Sequence, residues 1–352
     1  MAMTAMQSKV QRAQSFCTKG FLPLGFFLGV FIALVWPDPG RAVAKPMIGN
    51  FHVVQTINIM VIFLISGLTL NTEDVKDALN KEGKWGYMFG VVSILAITGA
   101  FGFAAAEIPF ELKEFSIGLS VFCVVPTTLA SGVAIVMNAG GNDALALLLT
   151  ITTNLLGVLT IPFMVKAVVA VGDDANIDPV GLLITLVFNL LIPITVGKAV
   201  RESVPGVKPW AKRQRVRLSL TNSAMLIVIV WQTASKAQDK LTTLGIGQIF
   251  SVIASGIGLH LIYLGINYPL CKSVLKLKPR ELRAVVLMAS EKTLPVSVIV
   301  IGYLENLGRV GVMTVPCIVA YMAQLFIDSY LATKWANDDE KAAVVVADEV
   351  MV

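Results

Sequence analysis

Long apolar runs separated by short polar stretches dominate this chain. Residues 246–266, 21–36 and 218–233 contain no formally charged side chain. A hydrocarbon core of about 30 Å takes roughly 20 residues of helix to cross. Ten segments reach or approach that length: 20–36, 52–70, 85–106, 115–137, 144–166, 179–199, 217–235, 245–266, 284–304 and 310–334. The pattern predicts an all-α membrane protein with ten transmembrane helices joined by short loops. Residues 20–335 form one ten-helix domain, preceded by a tail over 1–19. The stretch 336–352 opens with Asn337, Asp338, Asp339, Glu340 and Lys341, and is expected to be disordered.

Composition agrees with a bilayer setting. Charged residues make up 14% of the chain, against about 25% in soluble domains. The net charge of +5 does not point to nucleic acid, because the positive residues sit in loops between apolar runs. With the N-terminus inside, 20 of the 28 Lys and Arg residues fall on inner segments, among them Lys9, Lys76, Lys208, Arg213 and Lys341. Seven fall outside, and Lys292 lies within a span. That bias predicts an N-in, C-in orientation. The uncharged run 21–36 leads into Pro37-Asp38-Pro39, not a small-residue cleavage site, so residues 1–19 are expected to be a cytoplasmic tail. The four cysteines form no CxxC pair, and His52 and His260 stand alone in sequence, so neither a disulfide framework nor a histidine metal site is expected. Neither GxSxG nor HExxH occurs, and no catalytic residue or enzyme activity is expected.

Ten spans divide into two halves of five, about 20–170 and 179–334. An odd number of spans per half sends the second half into the membrane from the opposite side, which is the arithmetic of an inverted repeat. The fourth span of each half carries a helix-breaking centre: Thr127-Thr128-Leu129-Ala130-Ser131-Gly132 after Pro126, and Lys292-Thr293-Leu294-Pro295 after Glu291. Proline removes an N–H and clashes with the carbonyl four residues back, Phe122 for Pro126 and Glu291 for Pro295. The freed carbonyls need protein, water or an ion. Helices four and nine are therefore predicted to be discontinuous and to meet near the midplane, presenting helix N-termini to an anion and carbonyls to a cation.

Glu291 and Lys292 are the sharpest chemical signal. Each costs on the order of 3 kcal/mol at a helix centre, and intramembrane ionisable groups usually face a polar cavity. Glu291 suits Na⁺ binding or proton carriage. Lys292 suits the carboxylate of an organic anion, or stands where a second cation would sit; Thr127, Thr128 and Thr293 border the same breaks as candidate substrate contacts. Thr150, Thr152, Thr153 and Asn154 cluster on the fifth span, either as oxygen ligands for a hard cation or as helix–helix hydrogen bonds. Gln324 and Asp328 on the tenth span are weaker candidates, with Asp328 near the inner headgroups.

Several motifs resemble the SBF-like branch of the bile acid:sodium symporter superfamily, especially its plant plastid type-four group and the vertebrate solute carrier family ten member seven group. They are Ile65-Ser66-Gly67-Leu68-Thr69-Leu70, residues 126–134, Gly140-Gly141-Asn142-Asp143, Asn154-Leu155-Leu156-Gly157 and Glu291-Lys292-Thr293-Leu294-Pro295, within a resemblance spanning about 20–335. It implies panel and core domains, crossing discontinuous helices four and nine, and a first sodium site at Ser131, Thr150 and Glu291, with Asn154 beside it. The family's Asn after the serine is Gly132 here. The Gln four residues after the glutamate is Pro295, and residues 85–106 contain no Gln, so the second sodium site is absent. The resemblance implies a secondary active transporter of a small organic anion or metabolite, coupled to Na⁺ or H⁺ and working by alternating access in the plasma membrane or a plastid envelope. The vertebrate branch implies an alternative role, regulation of ion homeostasis such as that of calcium without robust solute transport.

Overall fold

In the computed structural model, residues 21–48, 51–70, 83–172 and 177–350 are described. The basic tail 1–19 and the inner loop bearing Lys76 and Lys81 lie outside them. Among the described residues the chain is helical apart from one antiparallel pair, β1 (Met47–Ile48) with β2 (Phe51–His52). In chain order the helices are α1 (Phe21–Val35), α2 (Asp38–Ala44), α3 (Val53–Thr69), α4 (Lys84–Ala106), α5 (Lys113–Val124), α6 (Ala130–Asn138), α7 (Asp143–Gly172) and α8 (Pro179–Ser203). They continue with α9 (Val207–Arg213), α10 (Arg215–Leu241), α11 (Ile246–Val274), α12 (Pro279–Ser290), α13 (Leu294–Tyr303) and α14 (Val310–Val350). Seven are long and apolar enough to cross a membrane, counting α12 and α13 together as one span. The chain is thus an all-α membrane protein.

The other expected spans are shorter or bent. α1 and α2 meet at 103°, and α3 has 17 residues. α5 and α6 are the two halves of the fourth apolar segment, interrupted between Val125 and Leu129. Three helices carry π segments, at Ser93–Ile97 in α4, Val187–Leu191 in α8 and Leu270–Val274 in α11. The last helix runs on past Trp335, through Asn337, Asp338, Asp339, Glu340 and Lys341, to Val350. One physical reason is Arg283, whose guanidinium donates two hydrogen bonds to Asp339, at 2.5 and 2.6 Å, and lies 5.9 Å from the Trp335 ring centroid.

The chain divides into two compact units. One comprises residues up to Leu70 and Val187–Thr243. Within it α3 crosses the second half of α8 backbone to backbone: a Cβ on Gly67 would strike the Ile194 carbonyl, and one on Gly197 would strike the Leu64 carbonyl. Small residues permit this approach where lipid offers no hydrophobic drive between helices. Cations from α8 close the end of α3, with Arg201 donating to the Leu68 carbonyl (2.8 Å) and Lys198 to the Leu70 carbonyl (3.1 Å).

The second unit comprises Asn71–Leu186 and Leu244 onward. Its centre is the α12–α13 span, which is wholly buried. α12 stops at Ser290, the backbone is extended through Glu291 (φ −85°, ψ 148°) to Thr293 (φ −93°, ψ 123°), and α13 restarts at Leu294. Pro295 therefore occupies the first turn of α13, where its missing N–H costs nothing, rather than kinking a continuous helix. The two interruptions are joined: the Thr293 N–H donates to the Pro126 carbonyl at 3.0 Å.

Candidate functional site

Each chain break exposes backbone groups that a helix would have paired, and neighbouring helices supply side chains to pair them. On α7, Asn154 Nδ2 donates to the Thr127 carbonyl (3.2 Å) and Thr150 Oγ1 to the Thr128 carbonyl (3.2 Å), while each also bonds a carbonyl of its own helix. On α14, Gln324 clamps Lys292 from both sides: its Oε1 accepts from the Lys292 N–H at 3.0 Å and its Nε2 donates to the Lys292 carbonyl at 2.7 Å. Buried amides thus satisfy the backbone that the breaks release. Thr153 bonds back to the Leu149 carbonyl, and Thr152 accepts from Tyr87.

Glu291 and Lys292 are both fully buried, at 0% exposure, and point apart. An extended backbone turns successive side chains to opposite sides, more completely than the helical spacing of about 100° assumed from the sequence. Lys292 Nζ reaches the Ile94 carbonyl at 2.8 Å, within the π segment of α4, and lies 5.9 Å from the Tyr263 ring centroid. No carboxylate oxygen comes within 4.0 Å of it among the described residues. The π segment explains that perch, because a widened turn leaves carbonyls short of helical partners.

Glu291 faces the other break. Thr128 Oγ1 donates to Glu291 Oε2 in a short hydrogen bond. Gly132 lies flush against this pair; a Cβ there would strike both Thr128 Oγ1 and Glu291 Oε2. The carboxyl group of Asp328 on α14 lies beside that of Glu291. Asp328 is fully buried, at 0% exposure, rather than reaching the headgroups. His260 on α11 is not isolated either. Its Nε2 lies 2.9 Å from Asp328 Oδ1, and its Nδ1 lies 3.1 Å from the Ser290 carbonyl. Ser290 Oγ accepts from Asn267 Nδ2 (3.0 Å), and Asn267 Oδ1 accepts from Ser93 Oγ (2.6 Å).

The expected residues therefore fall into two groups. Thr128, Thr150 and Glu291 adjoin at the crossing, with Thr127 and Asn154 one contact further on. Ser131 sits at the start of α6 and hydrogen-bonds Tyr321 on α14 at 3.0 Å. Lys292 projects toward α4, away from them. Thr293 is buried and contributes its backbone to the crossing, while its carbonyl accepts from Ser297 Oγ at 3.0 Å. Several buried oxygens there find no partner among the described residues: Thr127 Oγ1, Asn154 Oδ1, Glu291 Oε1 and Asp328 Oδ2. Each leaves a hydrogen-bonding position open at the crossing for an ion or a water. The sequence reading set His260 aside as isolated and did not single out Tyr321, and no local signal links them to Glu291.

Comparison with known proteins agrees with this architecture. The profile of the SBF-like CPA transporter family matches residues 21–337. A probable sodium/metabolite cotransporter BASS4, chloroplastic, of Arabidopsis thaliana is 36% identical over 328 residues, covering 91% of this chain and 73% of the relative. The protein of the same name from Oryza sativa subsp. indica is 33% identical over 338 residues, covering 93% and 78%. Sodium/bile acid cotransporter 7 of Xenopus tropicalis is 23% identical over 301 residues, covering 82% and 85%. This chain belongs to the SBF-like CPA transporter family, as a non-enzymatic membrane transporter.

Proposed function

We propose that the protein is a secondary active transporter that carries a small organic anion together with sodium by alternating access. The observation that carries this reading is the crossing itself: the break between α12 and α13 sends a buried carboxyl and a buried ammonium to opposite sides, unpaired with each other. Glu291, with the Ser131 and Thr150 hydroxyls and Asn154 beside it, takes Na⁺. Lys292, on the α4 side of the crossing, takes the anionic substrate, while Thr127 and Thr128 stay with Glu291. Oxygen-only ligands suit a hard monovalent cation, and the relatives' names, sodium/metabolite and sodium/bile acid cotransporter, support sodium as the coupling ion.

The same reading arranges the chain as ten spans in two inverted repeats of five, N-in and C-in. It places the protein in a plasma membrane or, by analogy with the chloroplastic relatives, a plastid envelope. The test is uptake into proteoliposomes from a library of labelled organic anions, with inward sodium, inward potassium or no gradient. Saturable uptake driven by sodium supports the reading. Sodium-independent uptake removes the coupling, and no uptake of any compound favours a regulatory role over transport.

A further inference from the structure

Two hydroxyls of the sodium site implied by the family motif already have partners within the protein. The Ser131 hydroxyl is bonded to Tyr321, and the Thr150 hydroxyl is bonded to two carbonyls. The carboxyl oxygens left without a donor among the described residues are Glu291 Oε1 and Asp328 Oδ2, and both side chains are fully buried. They belong to groups that already meet. Two carboxyl groups brought together away from water must share a proton or take a cation between them. Lys292 does not fill that place, because its ammonium points to the Ile94 carbonyl on the α4 side.

Resting on the transporter reading above, we propose that Asp328 is a second carboxylate ligand of the coupling cation, and that Glu291 Oε1 and Asp328 Oδ2 together hold it. Each carboxyl is oriented by a fixed partner on its other oxygen: Thr128 Oγ1 on Glu291 Oε2, and His260 Nε2 on Asp328 Oδ1. The Ser290 carbonyl that faces His260 Nδ1 only accepts, so Nδ1 carries its hydrogen and the ring orientation is set. His260 is thus a positioning residue, of the kind that aims a ligating carboxylate from behind. Carboxylates and hydroxyls are hard oxygen donors, which select Na⁺ or Ca²⁺ over softer ions.

The experiment is binding of ²²Na⁺ and of ⁴⁵Ca²⁺ to the purified full chain in detergent, for the parent, Asp328→Asn and Asp328→Glu. The expected result is that Asp328→Asn weakens binding of the cation at least about tenfold, equivalent to about 1.4 kcal/mol. Asp328→Glu keeps part of it. Sodium binding that Asp328→Asn leaves unchanged overturns the inference while the sodium-coupled reading stands. Calcium binding without sodium binding, lost in Asp328→Asn, upholds the inference and overturns sodium coupling. Binding of neither ion by the folded parent overturns both. Asp328→Ser asks the same question if the Asn variant does not survive purification, with His260→Gln as the check on positioning: Gln keeps a donor toward Asp328 and is expected to retain most of the affinity.

Discussion

Replacing Gln324 with Leu removes both hydrogen bonds that hold the Lys292 backbone in place, while keeping a side chain of similar volume in a site that is 1% exposed. The Lys292 N–H and carbonyl lose partners at 3.0 and 2.7 Å. A buried backbone group left unpaired costs about 1–3 kcal/mol. Membrane measurements average nearer 0.6 kcal/mol per interaction, because a helix unfolded in lipid finds other partners. That relief is weak here, since residues 291–293 are extended and have no helical ladder to fall back on. The two losses together are expected to destabilise the protein by about 2–4 kcal/mol, a large share of the roughly 5–15 kcal/mol typical of a folded domain. Reversible unfolding in mixed micelles measures it, with Gln324→Glu as the companion. A glutamate that stays protonated in this buried place keeps an acceptor for the N–H and an O–H donor for the carbonyl, so it should cost less than leucine. A change below about 0.5 kcal/mol for Gln324→Leu would mean that the Lys292 backbone is satisfied some other way, and the clamp would have to be abandoned.

Gly67→Val should destabilise the α3–α8 crossing by about 1–3 kcal/mol through overpacking against the Ile194 carbonyl; an unchanged midpoint of thermal unfolding would deny that close approach. Lys292→Met should abolish uptake of an anionic substrate while leaving ²²Na⁺ binding to the purified protein within about twofold, since the ammonium lies away from the Glu291 side of the crossing; parallel loss of both would merge the two sites. Asp339→Asn, which weakens an ion pair exposed at the Asp339 end, should cost no more than about 1 kcal/mol in global stability yet speed limited proteolysis after Trp335. Single cysteines at positions 208 and 341 should react with an impermeant maleimide from the same side of the membrane; labelling from opposite sides would refute the ten-span arrangement.

Much of this architecture is legible along the chain because bilayer thickness imposes a length on every apolar run. Pro126 and Pro295 mark both breaks without reference to any neighbour. What the sequence leaves out is mutual orientation across elements. Ser93-Ile94-Leu95-Ala96-Ile97 reads as ordinary apolar helix, yet its π turn gives Lys292 its perch. His260 and Asp328 lie 68 positions apart, and neither sits in a pattern that signals the other. Asp328 looked like a headgroup contact because its distance from the span end was read without knowing which face meets α11. Polar residues after Trp335 gave the appearance of disorder because composition counts charges and not the guanidinium waiting at Arg283. The Thr150–Asn154 cluster left two readings open; in the structure Thr150 and Asn154 hydrogen-bond carbonyls of the broken segment, a role that still leaves Asn154 Oδ1 free for a ligand among the described residues.

α14 has a mechanical consequence. Tyr321, Gln324 and Asp328 follow one another at helical spacing on one face, about 10 Å from first to last. Tyr321 engages Ser131, Gln324 grips the Lys292 backbone, and Asp328 meets Glu291 and His260. One stiff rod therefore works like a camshaft bearing three followers. Sliding or turning it by a fraction of a helical turn would disturb the start of α6, the α12–α13 break and the carboxyl pair in the same stroke. Synchrony between these places needs no relay of small adjustments, because a single rigid part touches all three.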